Sequence, residues 1–201
     1  MSGLIKIGLT GGIGMGKSTA AKILRGMGLP VHNADREVHK LMRKGGRAVK
    51  RIAKAFPQAL KGGAIDRKTI GKDVFEHPEK LRRLEKILHP LVQKAERDFL
   101  QRAEKRNIRA VVLEIPLLFE THAEKRCTVT ICVTAPHALQ RARVMQRKNM
   151  TEARFKAIRS RQMSDKQKRK LADYTINTGK GYGDTKKQLR HVLGLILKPR
   201  V

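Results

Sequence analysis

A glycine-rich stretch near the start of the chain carries the strongest chemical signal in the sequence. Residues 8–19 read GLTGGIGMGKST and contain Gly-x-x-x-x-Gly-Lys-Ser, from Gly11 to Ser18. Glycines permit the backbone conformations that point successive N–H groups inward, and a following helix adds its positive N-terminal end. A lysine at this position can reach the β- and γ-phosphates of a nucleotide, and the serine hydroxyl can join the coordination of Mg²⁺. The spacing therefore predicts a phosphate loop.

The residues on either side of this stretch help to distinguish a phosphate site from a plain turn. A glycine-rich strand-to-helix turn without a ligand would have a similar composition. Here IKIGLT precedes the glycines and predicts a strand, while STAAKILRGMG follows them and predicts a helix. Phosphate loops occur in this context, so it favours nucleotide binding. The loop leaves open whether water, a protein or a small metabolite accepts the terminal phosphoryl group.

A carboxylate after the second predicted strand is the first candidate for a catalytic base. The stretch LPVHNADREVHKLM places Asp35 just past this strand. The carboxyl ends of the strands in an open parallel sheet line the ligand crevice, so Asp35 is expected to face the phosphates. Its carboxylate could accept a proton from an attacking hydroxyl. Spacing alone supports equally well an N-cap for a helix that begins near Arg36.

Five apolar segments are predicted to form the strands that position these residues. They are LIKIGL, GLPVHN (28–33), AVVLEI (110–115), TVTICVT (128–134) and DYTIN (173–177). Helical patterns are predicted at Ser18–Met27, Arg36–Met42, Pro78–Leu88, Leu91–Lys105, Pro136–Arg147, Glu152–Met163 and Thr185–Leu197. Strands that alternate with helices indicate an α/β fold with a parallel sheet and right-handed crossovers.

The stretch from Arg36 to Arg106 departs from this alternation. It contains helical patterns and two glycine turns, KGGR and KGGAIDR, but no convincing strand. Because it is too long for a plain crossover between two strands, we expect it to form a helical subdomain.

The charge balance of the chain is strongly basic. The 201 residues carry a formal net charge of +29, and the stretch from Arg141 to Lys170 holds twelve Lys or Arg against two acids. Such charge attracts phosphate-rich partners. A dedicated single-strand nucleic-acid binder would offer several aromatic surfaces, whereas this chain has no Trp, two Tyr and five Phe. The charge therefore supports a phosphate-rich partner without identifying it.

The sequence gives no indication of a membrane or secreted protein. No apolar run approaches the roughly 20 residues that span a bilayer, and the first one is short and broken by Lys6. Cys127 and Cys132 are expected in one strand with their side chains on opposite faces, which argues against a disulfide between them. These features favour a reducing, cytoplasmic setting.

Six motifs, taken in order along the chain, resemble those of bacterial dephospho-CoA kinases. They are GLTGGIGMGKST, HNAD, LEKILHPLV (84–92), IPLLFE (115–120), LQRARVMQR (139–147) and LADYTINTG (171–179), and the resemblance covers about residues 4–195. It implies a P-loop NTPase three-layer fold with a parallel sheet. A nucleotide-binding core (about 1–35, 107–140 and 171–201) would carry a helical substrate-binding subdomain (about 36–106) and a helical lid (about 141–170).

The resemblance also implies a reaction and the residues that serve it. The reaction is the ATP-dependent phosphorylation of the ribose 3′-hydroxyl of dephospho-CoA, the last step of coenzyme A synthesis. Asp35 would be the general base, while Lys17, Arg143 and Arg147 would neutralise charge on the transferred group. Nucleotide contacts are implied for Gly12, Ile13, Gly14, Met15, Gly16, Lys17, Ser18, Thr19 and Asn177, and Ser18 would also bind Mg²⁺. Substrate contacts are implied for Asp35, His89, Leu118 and Glu120.

Several of these residues have a simpler structural interpretation. Arg143 and Arg147 could belong to a solvated basic helix face, and Asn177 could be a turn residue. His89 could end a helix before a new one starts at the following proline, and Glu120 could be a surface acid. Glu114 ends the segment AVVLE, where it could hold a metal-bound water.

Two positions depart from the family pattern. Asn33 stands where the family has the first acid of Asp-Ala-Asp, so Asp35 must act without a second carboxylate. Met15 stands where the family often has serine. Because a phosphate loop binds mainly through backbone N–H groups, we expect little loss from this change.

The expected partner is the small-molecule substrate dephospho-CoA. The prediction includes no dedicated nucleic-acid partner, no membrane, and a monomer or weak homo-oligomer in the cytoplasm. Two other functions stay open. A nucleoside or nucleotide kinase would share the loop and the lid, and an RNA-dependent or non-enzymatic role would draw only on the positive charge.

Overall fold

The computed structural model describes residues 3–198, except for the side chains of Phe75 and Glu76. The bounds predicted for the nucleotide-binding core include residues 1–2 and 199–201, which lie outside the described residues. The chain divides into two compact units. The first unit comprises the residues up to His32 and those from Ala103 onward, and the second comprises Asn33–Arg102.

A five-stranded sheet forms the centre of the first unit. The strands of the chain are β1 (Ile5–Thr10), β2 (Val31–Asn33), β3 (Leu60–Lys61), β4 (Ala64–Ile65), β5 (Ala110–Glu114), β6 (Val129–Thr134) and β7 (Tyr174–Asn177). The sheet has the order β2-β5-β1-β6-β7, and β1 runs parallel to both β5 and β6. All five residues of β5 are buried, as is usual for strands covered on both faces. The five strand predictions are confirmed, with small shifts at their ends.

Nine helices accompany the strands in the described part of the chain. They are α1 (Lys17–Gly26), α2 (Ala34–Met42), α3 (Val49–Ala55), α4 (Arg67–Glu76), α5 (Pro78–Lys105), α6 (His137–Met145), α7 (Glu152–Ser160), α8 (Asp165–Leu171) and α9 (Tyr182–Ile196). No helix among the described residues is long and apolar enough to cross a membrane. The helices α3, α4 and α8 were not predicted, because their seven to ten residues carry a weak apolar period.

Packing against the sheet explains the position of α1. Ala20, Ala21, Ile23 and Leu24 are buried in the core with Ile7, Leu9 and Val112 of the sheet. From the other end of the chain, Leu189 and Leu193 of α9 join the same cluster. The phosphate loop, which connects β1 to α1, is therefore attached to rigid elements at both ends.

The second unit has its own apolar core, built from α2 to α5. Ile52, Phe56, Ile65, Ile70 and Leu84 are among its buried members. The sequence predicts no strand here, and the structure corrects this prediction: β3 and β4 form a short antiparallel hairpin. Its two glycines, Gly62 and Gly63, adopt φ angles of 55° and 77°. Strands of two residues are too short to show an alternating apolar pattern.

The predicted boundary at His89–Pro90 is also wrong, since α5 continues through Pro90. A proline inside a helix removes one backbone hydrogen bond and normally favours a break. Leu84 and Leu88 before the proline, and Leu91 and Val92 after it, all pack on the same core. Burial of apolar side chains on both sides of Pro90 therefore outweighs the lost bond.

Asp66 is expected to contribute to the stability of the second unit as the N-cap of α4. Its side chain accepts the Lys68 N–H and bonds to the Lys61 ammonium and the Thr69 hydroxyl. The Lys61 contact, with these other bonds, holds the pKa of the Asp66 carboxyl well below its ordinary value of 3.8. We expect Asp66→Ala to lower the Tm by about 2–4 °C.

The pH dependence of this effect follows from the lowered pKa of Asp66. A lowered pKa in the folded state gives stability that is fully present above the ordinary value and is lost as pH falls towards the folded value. The Tm difference between the wild type and Asp66→Ala should therefore be the same at pH 5 and pH 8. Thermal unfolding followed by circular dichroism checks this, and Asp66→Asn, which keeps a capping oxygen, should lose less. A Tm difference that vanishes at pH 5 would contradict the assignment.

Candidate active site

The loop between β1 and α1 has the geometry of an anion cradle. Gly14 and Gly16 adopt φ angles of 76° and 87°, in the left-handed region that favours glycine. A Cβ on Gly14 would lie 2.6 Å from Val144 Cγ2, and one on Gly16 would lie 2.7 Å from Thr178 Oγ1. No side chain caps the N-terminus of α1, so the first N–H groups of this helix are left for a ligand. The loop therefore fits a phosphate group.

Lys17, the first residue of α1, points towards the end of β5. Its ammonium lies 2.7 Å from Glu114 Oε1, and the side chains of the two residues are 13% and 3% exposed. A carboxylate as buried as Glu114 needs a positive partner, which Lys17 provides. An ammonium has three N–H donors, so Lys17 can hold Glu114 and still donate to a phosphate oxygen. The position of Glu114 was singled out from the sequence, but its pairing with Lys17 was not predicted.

Ser18 and Thr19 follow Lys17 in the first turn of α1, and both are exposed. The Ser18 hydroxyl is therefore accessible to a cation or a phosphate. Met15, in contrast, is buried, and its sulfur accepts the Ala135 N–H at 3.2 Å. Its side chain thus fills the core beneath the loop, which gives a structural reason for a methionine at this position.

Arg143 and Thr178 hold the loop from the side of α6 and β7. The Arg143 guanidinium donates to the Thr178 hydroxyl and to the Thr178 carbonyl, each at 2.9 Å. The Thr178 hydroxyl donates in turn to the Met15 carbonyl at 2.9 Å. Thr178 was missed in the sequence, although a polar residue directly after a predicted strand is a signal for this edge of a parallel sheet. Arg147, at the end of this region, is exposed.

Asn177 ends β7 and forms a local turn. Its Oδ1 accepts the Gly179 N–H at 2.8 Å, and its side chain is exposed. This is the turn interpretation that the sequence left open. The Nδ2 group of Asn177 is still able to donate to a ligand.

The segment after β5 is tied to α8 by a buried ion pair. The Lys168 ammonium is completely buried, and it lies 2.9 Å from both Glu120 Oε1 and the Pro116 carbonyl. Glu120 also accepts the Met163 N–H at 2.8 Å. Glu120 is therefore engaged by Lys168 instead of forming a free surface acid. Leu118 is fully buried, which does not allow direct contact with a substrate in this structure.

A cleft of about 500 Å³ lies beside the phosphate loop. Gly12 and Met15 of the loop form one wall, and Gln140 of α6 forms another. The stretch from 156 to 165 supplies the remaining wall, including Gln162 and Asp165. The basic region found in the sequence thus faces the loop across a solvent-accessible space.

In the second unit, Asp35 is the second residue of α2 and its side chain is exposed. The N-cap of α2 is Asn33, whose Oδ1 accepts the Arg36 N–H at 2.7 Å. The alternative that Asp35 caps this helix is therefore wrong. The cap is Asn33, the residue that stands where the family has an acid. His89 lies on the exposed surface of α5.

The two cysteines are not arranged as predicted. Cys127 precedes β6 and accompanies a short 3₁₀ helix, so only Cys132 lies in the strand. Neither cysteine is in a disulfide. Burial, with a smaller contribution from Asp165, raises the pKa of Cys132 to about 12, so it stays protonated and is a poor nucleophile.

Comparison with known proteins identifies the family to which these features belong. The family model for dephospho-CoA kinase matches residues 5–183. A dephospho-CoA kinase of Paramagnetospirillum magneticum is 54% identical over 163 residues, which are 81% of this chain and 77% of that protein. This chain belongs to the dephospho-CoA kinase family. The family catalyses the final step of coenzyme A synthesis, in which ATP phosphorylates an alcohol group of dephospho-CoA.

Solved structures support the fold in the same way. A dephospho-CoA kinase from Campylobacter jejuni is 29% identical with a TM-score of 0.73, and the match covers 98% of each chain. A shikimate kinase from Acinetobacter baumannii is 19% identical with a TM-score of 0.55, over 98% of this chain and 96% of that one, and shows the fold alone. The predicted P-loop NTPase fold with a parallel sheet is thereby confirmed.

Proposed function

We propose that this chain transfers the γ-phosphoryl group of ATP to the ribose 3′-hydroxyl of dephospho-CoA through the residues described above. The observation that supports this most strongly is the phosphate loop with Lys17 and an uncapped α1, within a chain matched by the family model over residues 5–183. ATP binds at the loop of residues 12–19 through backbone N–H groups other than those of Ile13 and Met15, which are already bonded within the protein, and Lys17 contacts the transferred group. Asn177 contributes to the adenine site through its free amide.

Mg²⁺ fits the donor set beside the loop. Among the described residues no cluster of three or more His, Cys, Asp or Glu side chains could hold a metal alone. A magnesium ion in a kinase usually takes one or two protein oxygens and completes its shell with phosphate oxygens and water. The exposed Ser18 hydroxyl is such a ligand. When bound, the ion would neutralise phosphate charge.

Asp35 is the proposed general base. Its side chain is exposed and is not used as the cap of α2, so it is available for a substrate hydroxyl. The strand β2 ends two residues before it, and loops after parallel strands carry ligand-binding groups. The oxygen of the ribose hydroxyl forms the new bond to phosphorus as ADP leaves. Asp35 accepts the proton that this hydroxyl loses.

Arg147 and Arg143 are proposed to supply positive charge from the lid region, residues 141–170. Two more cations of this region, Lys156 and Arg159, line the cleft beside the loop. Closure of a lid would exclude water, which would otherwise hydrolyse ATP without forming product. Of the two arginines, Arg143 also fixes the loop through Thr178.

The helical second unit is the proposed substrate-binding subdomain. Exposed His89 is available there for dephospho-CoA. In the first unit, Glu120 acts indirectly by holding the segment that contains Leu118. We further propose a cytoplasmic protein that acts as a monomer or weak homo-oligomer. Two cysteines that are not in a disulfide, and no membrane-spanning helix among residues 3–198, are compatible with this location.

A panel of acceptors tests the proposed function. Purified protein, ATP and Mg²⁺ are supplied with dephospho-CoA, adenosine, AMP or shikimate, and ADP release is measured. We expect kcat/KM to be highest for dephospho-CoA by at least about 10²-fold, since an acceptor that leaves buried polar groups unpaired is strongly rejected. A nucleoside that outperforms dephospho-CoA would show that the chain is a different kinase. ADP release that requires added RNA would favour the charge-based alternative.

A further inference from the structure

Every carbonyl of residues 12–16 in the phosphate loop accepts a hydrogen bond. The donors to the carbonyls of residues 12, 13, 14, 15 and 16 are, in turn, the Met15 N–H (3.2 Å), Gln140 (2.8 Å), Arg143 (3.5 Å), Thr178 (2.9 Å) and the Ala20 N–H (3.0 Å). Oxygens that are engaged in this way cannot turn towards a phosphate, which they would repel. The loop geometry is thus set by contacts outside it as well as by its glycines.

Two glutamines act on one residue of this loop, Ile13. Gln140 Nε2 donates to the Ile13 carbonyl at 2.8 Å, and Gln162 Oε1 accepts the Ile13 N–H at 3.0 Å. Gln140 comes from α6 and is 4% exposed, whereas Gln162 lies between α7 and α8. A backbone carbonyl only accepts and a backbone N–H only donates, so each glutamine has a defined role.

Because peptide units are planar, these two contacts fix the orientation of the peptide units on both sides of Ile13. The Ile13 carbonyl and the Gly14 N–H belong to one trans peptide unit, in which the C=O and N–H bonds point in opposite directions. By holding the Ile13 carbonyl, Gln140 directs the Gly14 N–H away from α6. By holding the Ile13 N–H, Gln162 fixes the preceding peptide unit, whose Gly12 carbonyl accepts the Met15 N–H. Two consecutive peptide units are therefore fixed.

We propose that Gln140 and Gln162 form an amide clamp that positions the phosphate loop for ATP, and that they are positioning residues of the kinase reaction. This inference rests on the proposed function, because it concerns the same nucleotide site. Gln162 belongs to the basic lid region, so the clamp also connects that region to the loop. The sequence signals of the loop do not reveal it, since Gln162 is 149 positions from Ile13.

The opposite roles of the two glutamines make the clamp testable by one kind of substitution. A carboxylate accepts hydrogen bonds but cannot donate when ionised. Gln162→Glu therefore keeps the bond to the Ile13 N–H, whereas Gln140→Glu loses the bond to the Ile13 carbonyl. The two variants should differ although the chemical change is identical.

Amide hydrogen exchange in the nucleotide-free protein tests the clamp without any activity. We expect Gln162→Ala to accelerate exchange at the Ile13 N–H by at least about tenfold, because its acceptor is lost. Gln162→Glu should retain the protection. Gln101→Ala serves as the matched control, since the Gln101 side chain is exposed on α5, and exchange should not change. Unchanged exchange at Ile13 in Gln162→Ala would overturn the proposal.

Nucleotide binding and kinetics provide the second test. Gln140→Met keeps the side-chain volume but has no donor, so it separates the clamp from packing. We expect Gln140→Met and Gln162→Ala each to weaken ATP binding by about 3- to 10-fold, which corresponds to one neutral hydrogen bond. The KM for dephospho-CoA should stay constant. The double variant should show less than the product of the single effects, since both residues act on one loop.

The outcomes separate the clamp from the proposed function. A fall in Tm with unchanged ATP affinity would show a purely structural role and would overturn the positioning role. An equal loss of affinity for ATP and for dephospho-CoA would also overturn the positioning role. If the wild-type protein does not phosphorylate dephospho-CoA, the proposed function fails, whereas the exchange rates and ATP affinities still decide whether the clamp exists.

Discussion

Replacing Asp35 by asparagine is expected to lower kcat with dephospho-CoA by about 10²–10⁴-fold, the range that general-base catalysis typically supplies. The affinity for ATP should stay nearly unchanged, because the proposed phosphate contacts are backbone N–H groups of the loop and Lys17, and Asp35 is not among them. Asn33 and not Asp35 caps α2, so the substitution should not destabilise that helix. Single-turnover kinetics and equilibrium binding of ATP give the two quantities separately.

Glu37→Gln is the control for this experiment. Glu37 is a second carboxylate of α2, paired with Lys40 on the same helix, and its removal should leave kcat nearly unaltered. If Asp35→Asn turns over dephospho-CoA at a rate close to that of the wild type, Asp35 is not the base. Equal losses in Asp35→Asn and Glu37→Gln would indicate that the helix, and not one proton acceptor, had been disturbed.

Lys17→Ala is expected to remove both nucleotide affinity and turnover. A hydrogen bond to a charged group contributes about 1.5–3 kcal/mol, so the Kd for ATP should rise by about 10- to 150-fold. The substitution also leaves the Glu114 carboxylate, which is 3% exposed, without its Lys17 partner beside the phosphates. Isothermal titration with ATP and initial rates with dephospho-CoA measure the two effects.

The contribution of Glu114 can be separated by a second substitution. Lys17→Ala combined with Glu114→Gln removes both charges, and it should recover part of the ATP affinity lost in Lys17→Ala because the negative charge of Glu114 no longer repels the phosphates. Lys22→Ala is the control, since Lys22 is an exposed lysine of α1. Turnover that is unaltered in Lys17→Ala would remove the phosphate-loop interpretation altogether.

The local features of the site could be predicted because each depends on adjacent residues. The phosphate loop is one continuous motif between a strand and a helix, and the structure places both where the apolar pattern indicated. The buried strand β5 was equally evident, since its first four residues are apolar and only its last residue, Glu114, is charged. Local patterns of this kind are sufficient to define the fold class.

Other features depend on contacts between residues far apart in the sequence. Lys168 and Glu120 are 48 positions apart, and their charges alone would suggest two solvated side chains. Lys17 and Glu114 are 97 positions apart. The glutamines of the amide clamp carry no charge and belong to no local motif. Such pairs become visible only once the sheet order brings the loops together.

Two errors of prediction concern the second unit. The helix α5 was divided at Pro90 because the local preference of proline was weighted above packing, and the β3–β4 hairpin was missed because its two-residue strands are too short to show a pattern. In both places the apolar core of the second unit determines the structure: Leu88 and Leu91 flank the proline, and Ile65 of the hairpin is buried. Tertiary packing routinely overrides such preferences.

The position of the transferred phosphate on the product tests the proposed reaction most directly. The protein is incubated with ATP, Mg²⁺ and dephospho-CoA, and the product is examined by mass spectrometry and ³¹P NMR. We predict one new phosphate monoester on the ribose 3′-hydroxyl, with one ADP formed for each molecule of product. ADP formation with no phosphate added to dephospho-CoA, or a phosphate at another hydroxyl, would contradict it.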